Sequence, residues 1–366
     1  MIIDKFSSNL QLEIQSIVNI LSSHTKRAYL VGGCVRDLFL NNKIKDLDIE
    51  VYDISPNSFN ELMEQNSALG VGKSFFVYKL KNVDLALPRV EKKTGLGHKA
   101  FEVEITDNEK IASKRRDFSM NAMMINIFTG ELLDFWSGQE SIKQQKISLI
   151  NEKTFKEDSL RVLRAVQFSA RFGFEIDKKT LDIMHDIELE DLSKTRILWE
   201  LEKIFIAKHL EIGFIYMCKL KLFEKFFTCS IRCEGIEEEL KKIYSKNLYY
   251  FFYIIANMSG FDPLDWFKKL EAPNHYLKTF KNQPFYKNGV SDKELFIIAI
   301  NMPIKKWLGN YKKDVIKRAK KFDIYHEVFS GGVTIAKVIK DGFKKENIKD
   351  EYKRRVMKKI ENKFNV

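Results

Sequence analysis

Two aspartates separated by one residue are the first feature of this chain with clear chemical potential. Asp46 and Asp48 lie in the segment DLDIEVYD, where alternating apolar residues predict a β-strand. Side chains two residues apart on a strand point to the same face, so both carboxylates would lie side by side. Adjacent anions repel each other unless a cation lies between them, and hard oxygen ligands favour Mg²⁺ over zinc. Taken alone, the pair is equally compatible with two ordinary loop carboxylates.

A glycine pair and an arginine come shortly before these aspartates. Gly32 and Gly33 end the apolar run AYLV and begin a predicted short helix that contains Arg36. Backbone N–H groups at such a turn can approach phosphate oxygens closely, and the arginine can neutralise their charge. A nucleoside triphosphate would fit between the glycines and the aspartates. The alternative is a tight turn followed by a salt bridge between Arg36 and Asp37.

The segment EDSLRVLRAVQFSARFGF (157–174) contains a second set of charged residues at helical spacing. Asp158 and Arg161 are three residues apart, so on a helix they would share a face, with Arg164 beside them. They could form an ordinary ion pair. They could also read a base, because a carboxylate accepts hydrogen bonds and a guanidinium donates them. Cytosine and adenine each present an amino donor next to a ring acceptor, whereas uracil and guanine reverse that order and would lose about 1–3 kcal/mol per unpaired group.

Taken together, these motifs resemble the class II nucleotidyltransferases, the family of bacterial tRNA CCA-adding enzymes and bacterial poly(A) polymerases. The resemblance is carried by GGCVRD, DLD, KRRDFSMNA (114–122) and EDSLR, in the family's order and spacing, and it extends to LSKTRILWELEKIF (192–205). It implies that Asp46 and Asp48 hold catalytic Mg²⁺. It also implies a third catalytic carboxylate, Asp84, in the same sheet.

The same resemblance implies roles for the residues around the nucleotide. Gly33, Arg36 and Arg116 would contact the incoming nucleotide, and Asp117 would lie near its ribose 2′-hydroxyl. Base reading would fall to Asp158 and Arg161, with support from Arg164.

The implied activity is template-independent addition of CCA to the tRNA 3′ end from CTP and ATP. A poly(A) polymerase or a partial CC- or A-adding enzyme is the alternative, and a non-catalytic RNA-binding protein is a more remote one. Residues 88–108 resemble the flexible loop that the family needs to switch from C to A, which favours complete CCA addition.

Hydrophobic periodicity predicts the elements that must position these residues. A helix over about residues 9–23 and short β-branched and aromatic runs up to residue 138 predict a small α/β domain, and longer stretches with apolar residues at three- and four-residue spacing follow. The predicted fold class is α+β, with a nucleotidyltransferase head on a small mixed sheet and an all-helical remainder. We predict a catalytic head (1–138), a neck with the base-reading helix (139–208), a body (209–310) and a basic tail for tRNA (311–366).

Composition and charge are consistent with this interpretation. The chain has 366 residues and a net charge of +12, and residues 311–366 carry 17 basic and 8 acidic side chains, so +9 of the excess lies in the tail. Such a surface suits a polyanion. Four cysteines without a paired CxxC ligand set, and no apolar run of membrane-spanning length, predict a cytoplasmic protein without membrane contact. The sequence is compatible with both a monomer and a dimer.

Overall fold

The chain forms two compact units, Met1–Ser193 and Lys194–Val366. The structure, a computed structural model, describes residues 2–72, 76–93, 101–227, 229–286 and 289–364. It does not test the boundaries of the four predicted domains, which remain predictions.

The strands lie in the first unit: β1 (Ala28–Val31), β2 (Leu47–Val51), β3 (Leu69–Gly72), β4 (Val77–Leu80), β5 (Val83–Ala86), β6 (Arg89–Lys93), β7 (Phe101–Ile105), β8 (Met124–Asn126), β9 (Leu132–Leu133), β10 (Lys146–Ile147) and β11 (Glu175–Ile176). The helices of this unit are α1 (Ser8–Leu21), α2 (Gly33–Phe39), α3 (Pro56–Gln65), α4 (Glu109–Lys114), α5 (Gly138–Lys143), α6 (Glu152–Lys156), α7 (Leu160–Phe172) and α8 (Lys178–His185). Short 3₁₀ helices span Ile2–Lys5 and Ser119–Asn121.

A mixed sheet with the strand order β3-β4-β5-β2-β1-β8-β9 forms the centre of the first unit. Neighbouring strands are antiparallel except for β2 and β5, which are parallel. Successive side chains along β2 and β5 point to opposite faces of the sheet, so apolar residues lie on one face and carboxylates on the other. Leu47, Ile49 and Leu85 belong to the large hydrophobic core that also contains the buried face of α1, so the residues between them lie on the opposite face. Those intervening residues include Asp48 and Asp84.

These observations confirm the predicted fold class. The differences are local. β6 and β7 pair as an antiparallel hairpin within the segment predicted to be a flexible loop, and residues 94–100 of that segment lie outside the described residues. β10 and β11 form a short parallel pair in the region predicted to be entirely helical.

All regular elements in the described residues of the second unit are helices. Its helices are α9 (Lys194–Phe205), α10 (Leu210–Lys219), α11 (Leu222–Phe227), α12 (Ile236–Leu240), α13 (Leu248–Ser259), α14 (Pro263–Lys269), α15 (Asn274–Phe280), α16 (Asp292–Asn301), α17 (Lys313–Lys321), α18 (Ile335–Lys340) and α19 (Glu346–Phe364), with 3₁₀ turns at Ile304–Lys306 and Leu308–Tyr311. Aromatic rings form much of its core. Phe227 stacks on Trp266 with ring centroids 3.8 Å apart, and Phe205 stacks on Phe251 at 4.0 Å.

A disulfide joins Cys218 at the end of α10 to Cys233 in the segment before α12. The sequence analysis does not predict this bond, because fifteen residues separate the two cysteines and only the fold brings them together. Cys34 and Cys229 are free thiols. Across the described part of the chain, no helix has both the length and the apolar character needed to cross a membrane.

Candidate active site

The three predicted catalytic carboxylates, two of them predicted metal ligands, lie at one end of β2 and β5. Asp46 immediately precedes β2, which begins at Leu47, so the prediction that both aspartates lie within the strand is wrong by one residue. Asp48 and Asp84 are paired in register on the two parallel strands. Their side chains therefore project from the same face of the sheet. Asp46 and Asp48 are exposed, whereas Asp84 is partly buried and lies 3.5 Å from the ammonium of Lys79.

The negative charges of this group act on one another. The pKa of Asp48 is raised, first by partial desolvation and then by the charges of Asp84 and Asp46, while Arg116 opposes the rise. A cation among these carboxylates would relieve the repulsion. Within the described ranges no group of three or more ligating side chains lies close enough to hold a metal by itself. Mg²⁺ commonly takes only one or two protein carboxylates and completes its shell with water and phosphate oxygens, so the residues present fit it.

Gly32 occupies the point where the glycine turn meets this carboxylate group. Its φ is +73°, and a Cβ here would lie 2.9 Å from Nη1 of Arg116 and 3.7 Å from Oδ2 of Asp48. Only glycine satisfies both the backbone conformation and the close approach. The sequence analysis assigns Gly33 to the nucleotide, and the structure identifies its neighbour Gly32 as the residue with the stricter steric requirement.

Arg36 is buried rather than open to solvent. Its guanidinium donates to both oxygens of Asp37 at 3.0 Å and to Oδ1 of Asn121 at 2.8 Å. It also stacks over the rings of Phe168 and Phe172. Arg36 therefore has the salt bridge with Asp37 that the sequence offered as the alternative to a nucleotide contact.

The next motif, residues 115–117, is anchored by a residue that the sequence analysis does not identify. Glu50, which is only 2% exposed, accepts hydrogen bonds from Nη2 of Arg115 at 3.0 Å and from Nη2 of Arg116 at 2.9 Å. The hydroxyl of Tyr52 donates to its other oxygen at 3.2 Å. Burial alone would raise the pKa of Glu50, but the two guanidinium groups hold it below its usual range.

Asp117 links the same motif to α7. Its Oδ2 forms an ion pair with Arg164, with Nε at 2.7 Å and Nη2 at 2.6 Å. Its Oδ1 accepts from Asn121 and from the backbone N–H of Phe118, both at 2.8 Å. Burial opposes ionisation of Asp117, yet Arg164 and these hydrogen bonds keep its pKa below the ordinary value.

The two predicted base-reading residues do not both lie in α7. Asp158 precedes α7, which begins at Leu160, and its Oδ1 accepts from the backbone N–H of Leu160 at 3.2 Å. Arg161 lies in the first turn, where it donates to the carbonyl of Thr154 at 2.8 Å and to the carbonyl of Arg115. The prediction that a helix contains both residues is therefore wrong. An aspartate that accepts from a backbone amide two residues ahead competes with helical structure at its own position.

These contacts form two connected sets of residues, one around the carboxylates of β2 and β5 and one from Arg36 to Asp117. The carboxylates of β2 and β5 meet the glycine turn and Arg116, and residues 115–117 join that group to α7. The network from Arg36 through Asn121 to Asp117 lies alongside. Asn121 is part of the KRRDFSMNA motif and could have been singled out there, whereas no local signal points to Glu50, because its partners are 65 and 66 residues away.

Two family models match the chain. One, described as the Poly A polymerase head domain, matches residues 28–148. The other, described as a probable RNA and SrmB-binding site of polymerase A, matches residues 173–229.

Curated relatives carry related names. A CCA-adding enzyme of Oceanobacillus iheyensis is 28% identical over 313 residues, covering 81% of this chain and 76% of that protein. A Multifunctional CCA protein of Aliivibrio salmonicida is 37% identical over 197 residues, covering 50% of this chain and 46% of that protein. A CCA-adding enzyme of Lactococcus lactis is 29% identical, and the match spans 52% of its length. Apart from the first, the chain spans about half the length of these relatives.

Solved structures share the fold across nearly the whole chain. The CCA-adding enzyme of Bacillus stearothermophilus in complex with CTP superposes with a TM-score of 0.67 at 20% identity, covering 98% of this chain and 94% of that one. The Thermotoga maritima enzyme complexed with tRNA has a TM-score of 0.71 at 18% identity, covering 99% and 93%. At 18–20% identity these superpositions establish the fold of this chain alone.

Proposed function

We propose that this chain, which belongs to the nucleotidyltransferase family of CCA-adding enzymes and poly(A) polymerases, adds CCA to the 3′ end of tRNA from CTP and ATP. The observation that carries the proposal is the link made by residues 115–117. They contact Glu50 on β2 and Arg164 on α7, so the phosphates and the base of one nucleotide can be bound at the same time by the two elements. The proposed substrate, tRNA, makes the cytoplasm the proposed site of action.

Asp46 and Asp48 are the proposed ligands of a divalent cation, which we propose is Mg²⁺, and Asp84 is the proposed third catalytic carboxylate beside them. When bound, such an ion lowers the pKa of the attacking 3′-hydroxyl and neutralises charge on the triphosphate. The protein's part is to keep two carboxylates in register on neighbouring strands and a third just before one of them.

Arg116 is the proposed phosphate ligand. One arm of its guanidinium is held by Glu50, and the other faces the turn at Gly32. A guanidinium in this position can donate two parallel hydrogen bonds to phosphate oxygens. Gly33 and Arg36 are proposed to support the same turn, Arg36 by holding α2 against Asn121.

We propose that Asp117 orients Arg164 and Asn121, and does not bind the ribose directly. Its two oxygens accept three hydrogen bonds and form one further ion-pair contact with Nη2 of Arg164, which together come close to the capacity of a carboxylate. A ribose 2′-hydroxyl would have to replace one of them. Holding Arg164 beside the base is therefore the role that its contacts support.

Base selection is proposed to rest on Asp158 as acceptor and Arg161 as donor. The backbone carbonyls of Thr154 and Arg115 orient the guanidinium of Arg161 before any base arrives. If a base reaches both side chains, an oriented acceptor and an oriented donor match cytosine and adenine and mismatch uracil and guanine.

The direct test is incubation of the purified protein with Mg²⁺ and tRNA lacking CCA, with CTP and ATP supplied separately and together. We expect two additions with CTP alone and a third when ATP is also present. Long A tracts on any RNA with ATP alone would instead identify a poly(A) polymerase. RNA binding without addition would identify a non-catalytic binding protein.

A further inference from the structure

Glu50 is a buried carboxylate that contacts Arg116 but has no assigned part in binding the metal, the phosphates or the base. It lies two residues after Asp48 on β2, on the same face of the sheet, and is 2% exposed. Its neighbours Ile49 and Val51 belong to the hydrophobic core on the other face. Burying a charged cluster costs free energy that well-packed apolar side chains would not, so a carboxylate at this position calls for an explanation.

The contacts of Glu50 fix the orientation of Arg116. Nη2 of Arg116 donates to Oε1 of Glu50 at 2.9 Å, while Nη1 is the atom that a Cβ at Gly32 would approach to 2.9 Å. The guanidinium is planar and rigid, so holding one nitrogen fixes the direction of the others. Glu50 also accepts from Arg115 at 3.0 Å, and its negative charge offsets the repulsion between two adjacent arginines.

We propose that Glu50 is a positioning residue for the incoming nucleotide: it holds Arg116 at the Gly32 turn, beside Asp48, in the orientation that binds the triphosphate. This inference rests on the proposed function. Glu50 itself touches no substrate in this scheme, because Arg115, Arg116 and Tyr52 occupy its carboxylate.

The proposal predicts a specific kinetic pattern. The triphosphate is common to all nucleotides, so loss of Glu50 should raise KM for CTP and ATP by the same factor. The preference for CTP and ATP over UTP and GTP should not change, because Arg161 is held by backbone carbonyls that the substitution leaves in place.

Glu50→Gln keeps the size of the side chain but removes its charge. Loss of a charge-assisted hydrogen bond predicts a rise in KM of about tenfold or more, with kcat within about threefold of wild type. KM does not depend on how much of the enzyme is folded, so lower stability alone would not produce this result. Equilibrium titration with ATP or CTP in the absence of tRNA should show the same loss of affinity.

Glu109→Gln is a matched control. Glu109 also accepts from an arginine and a tyrosine in the same unit, with Arg27 Nε at 3.0 Å and Tyr29 Oη at 2.9 Å. It lies outside the proposed site, so KM for both nucleotides should stay at the wild-type value. Equal KM values for the Glu50→Gln and Glu109→Gln variants would overturn the proposal.

A double-substitution cycle tests whether Glu50 acts through Arg116. If it does, Glu50→Gln combined with Arg116→Ala should raise KM no further than Arg116→Ala alone. If the two substitutions instead raise KM by factors that multiply in the double variant, the proposal is wrong. Should Glu50→Gln not fold, Glu50→Asp retains the charge but withdraws the carboxylate, and a wild-type KM in that variant would contradict the proposal equally. Absence of CCA addition by the wild-type protein would contradict the proposed function, and the nucleotide titration would still test Glu50.

Discussion

At the scale of single residues, one face of β2 carries carboxylates in two electrostatic states. Asp48 has close negative neighbours and a raised pKa, whereas Glu50, two residues later, is neutralised by two arginines and has a lowered pKa. The surroundings of Asp48 favour the binding of a cation, whereas those of Glu50 hold two arginine side chains in place. Spacing alone cannot distinguish them, because both residues alternate with apolar neighbours in the same strand.

Asp48→Asn tests the first of these states. The substitution removes a proposed metal ligand, and we expect tRNA extension to fall by more than about a hundredfold. The raised pKa of Asp48 means that its charged form is disfavoured in the folded protein, so the melting temperature should stay the same or rise. Extension assays and thermal unfolding measure the two effects.

Asp53→Asn is the control for this substitution. Asp53 lies just beyond β2, pairs with Arg27 and has a φ of +58°, which asparagine tolerates. Its substitution should leave extension unchanged. Activity of the Asp48→Asn variant within about tenfold of wild type would contradict the metal assignment.

Asp158→Asn tests base selection. An amide can still accept from the N–H of Leu160, but it can also present a donor to the base. We expect the ratio of kcat/KM for CTP over UTP to fall by about tenfold or more, because a misplaced hydrogen bond costs about 1–3 kcal/mol. Glu152→Gln, at an exposed position of α6, is the control. An unchanged ratio would mean that Asp158 does not face the base.

Residue identities can be predicted where a motif is local and not where a partner is distant. The family resemblance places Asp84 in the same sheet as Asp48, and the register of β2 with β5 agrees with that placement. Glu50 cannot be found in this way, because its significance comes from arginines 65 and 66 residues further along the chain. The interior position of Arg36 is similarly invisible in the sequence, since burial by Phe168 and Phe172 depends on how α7 packs.

At the scale of elements, residues 115–121 serve as a joint between the sheet and α7. Side chains and backbone of this short segment contact Glu50 on β2, Arg36 on α2, and both Arg161 and Arg164 on α7. Periodicity predicts the strands and α7 because each has a continuous apolar face. It does not predict the joint, whose conformation is determined by hydrogen bonds to other elements.

In the second unit, Glu239 of α12 connects helices in a comparable way. It accepts from Lys242 at 2.6 Å, from Lys312 before α17 at 2.5 Å, and from the hydroxyl of Tyr311. Burial would raise the pKa of Glu239, but these donors lower it to about 2. We expect Glu239→Gln to lower the free energy of unfolding at pH 7 by about 1–3 kcal/mol.

The pH dependence of this difference has a definite sign. A carboxyl with a depressed pKa stabilises the fold above its unfolded pKa, about 4.3, and that stabilisation is lost as pH falls toward the folded value. The difference in the free energy of unfolding between wild type and the Glu239→Gln variant should therefore shrink as the pH falls from about 4 to about 2. Chemical denaturation across this range measures it. Glu238→Gln, next to it on the same helix but exposed, should cost little at any pH, and equal effects of the two substitutions would refute the assignment.

At the scale of the whole molecule, the excess positive charge is concentrated near the end of the chain. Residues 311–366 carry 17 basic and 8 acidic side chains, and they form α17, α18 and α19. Val338, Val356 and Ile360 are fully buried, so deleting these helices would damage the core as well as remove charge. Neutralising exposed lysines is therefore the cleaner experiment.

Replacing Lys349, Lys358 and Lys359, all exposed on α19, with glutamine should weaken tRNA binding and leave CTP binding unchanged. Removal of one lysine–phosphate interaction lowers the slope of log affinity against log salt by about 0.9. Titrations of tRNA at several salt concentrations measure this slope. The same change at exposed Lys268, Lys278 and Lys281 is the control, and equal slopes for both triple variants would show that α19 has no special role.

The general architecture is predictable from sequence because the transition from short strands to long helices is visible in the spacing of apolar residues. The disulfide between Cys218 and Cys233 is not, because its formation depends on how α10 and the segment before α12 come together. The hairpin of β6 and β7 is also not predicted, although β7 (FEVEI) alternates apolar and acidic residues, because the whole segment 88–108 is interpreted from the sequence as a flexible loop.

CCA addition is best tested by sequencing the products formed from a tRNA that ends before CCA when all four nucleotides are present at equal concentration with Mg²⁺. We expect wild-type products to end in CCA and to extend no further, and the Asp48→Asn variant to leave the tRNA unextended. Products with uridine or guanosine, or with continued addition of adenosine, would show that the protein is not a CCA-adding enzyme.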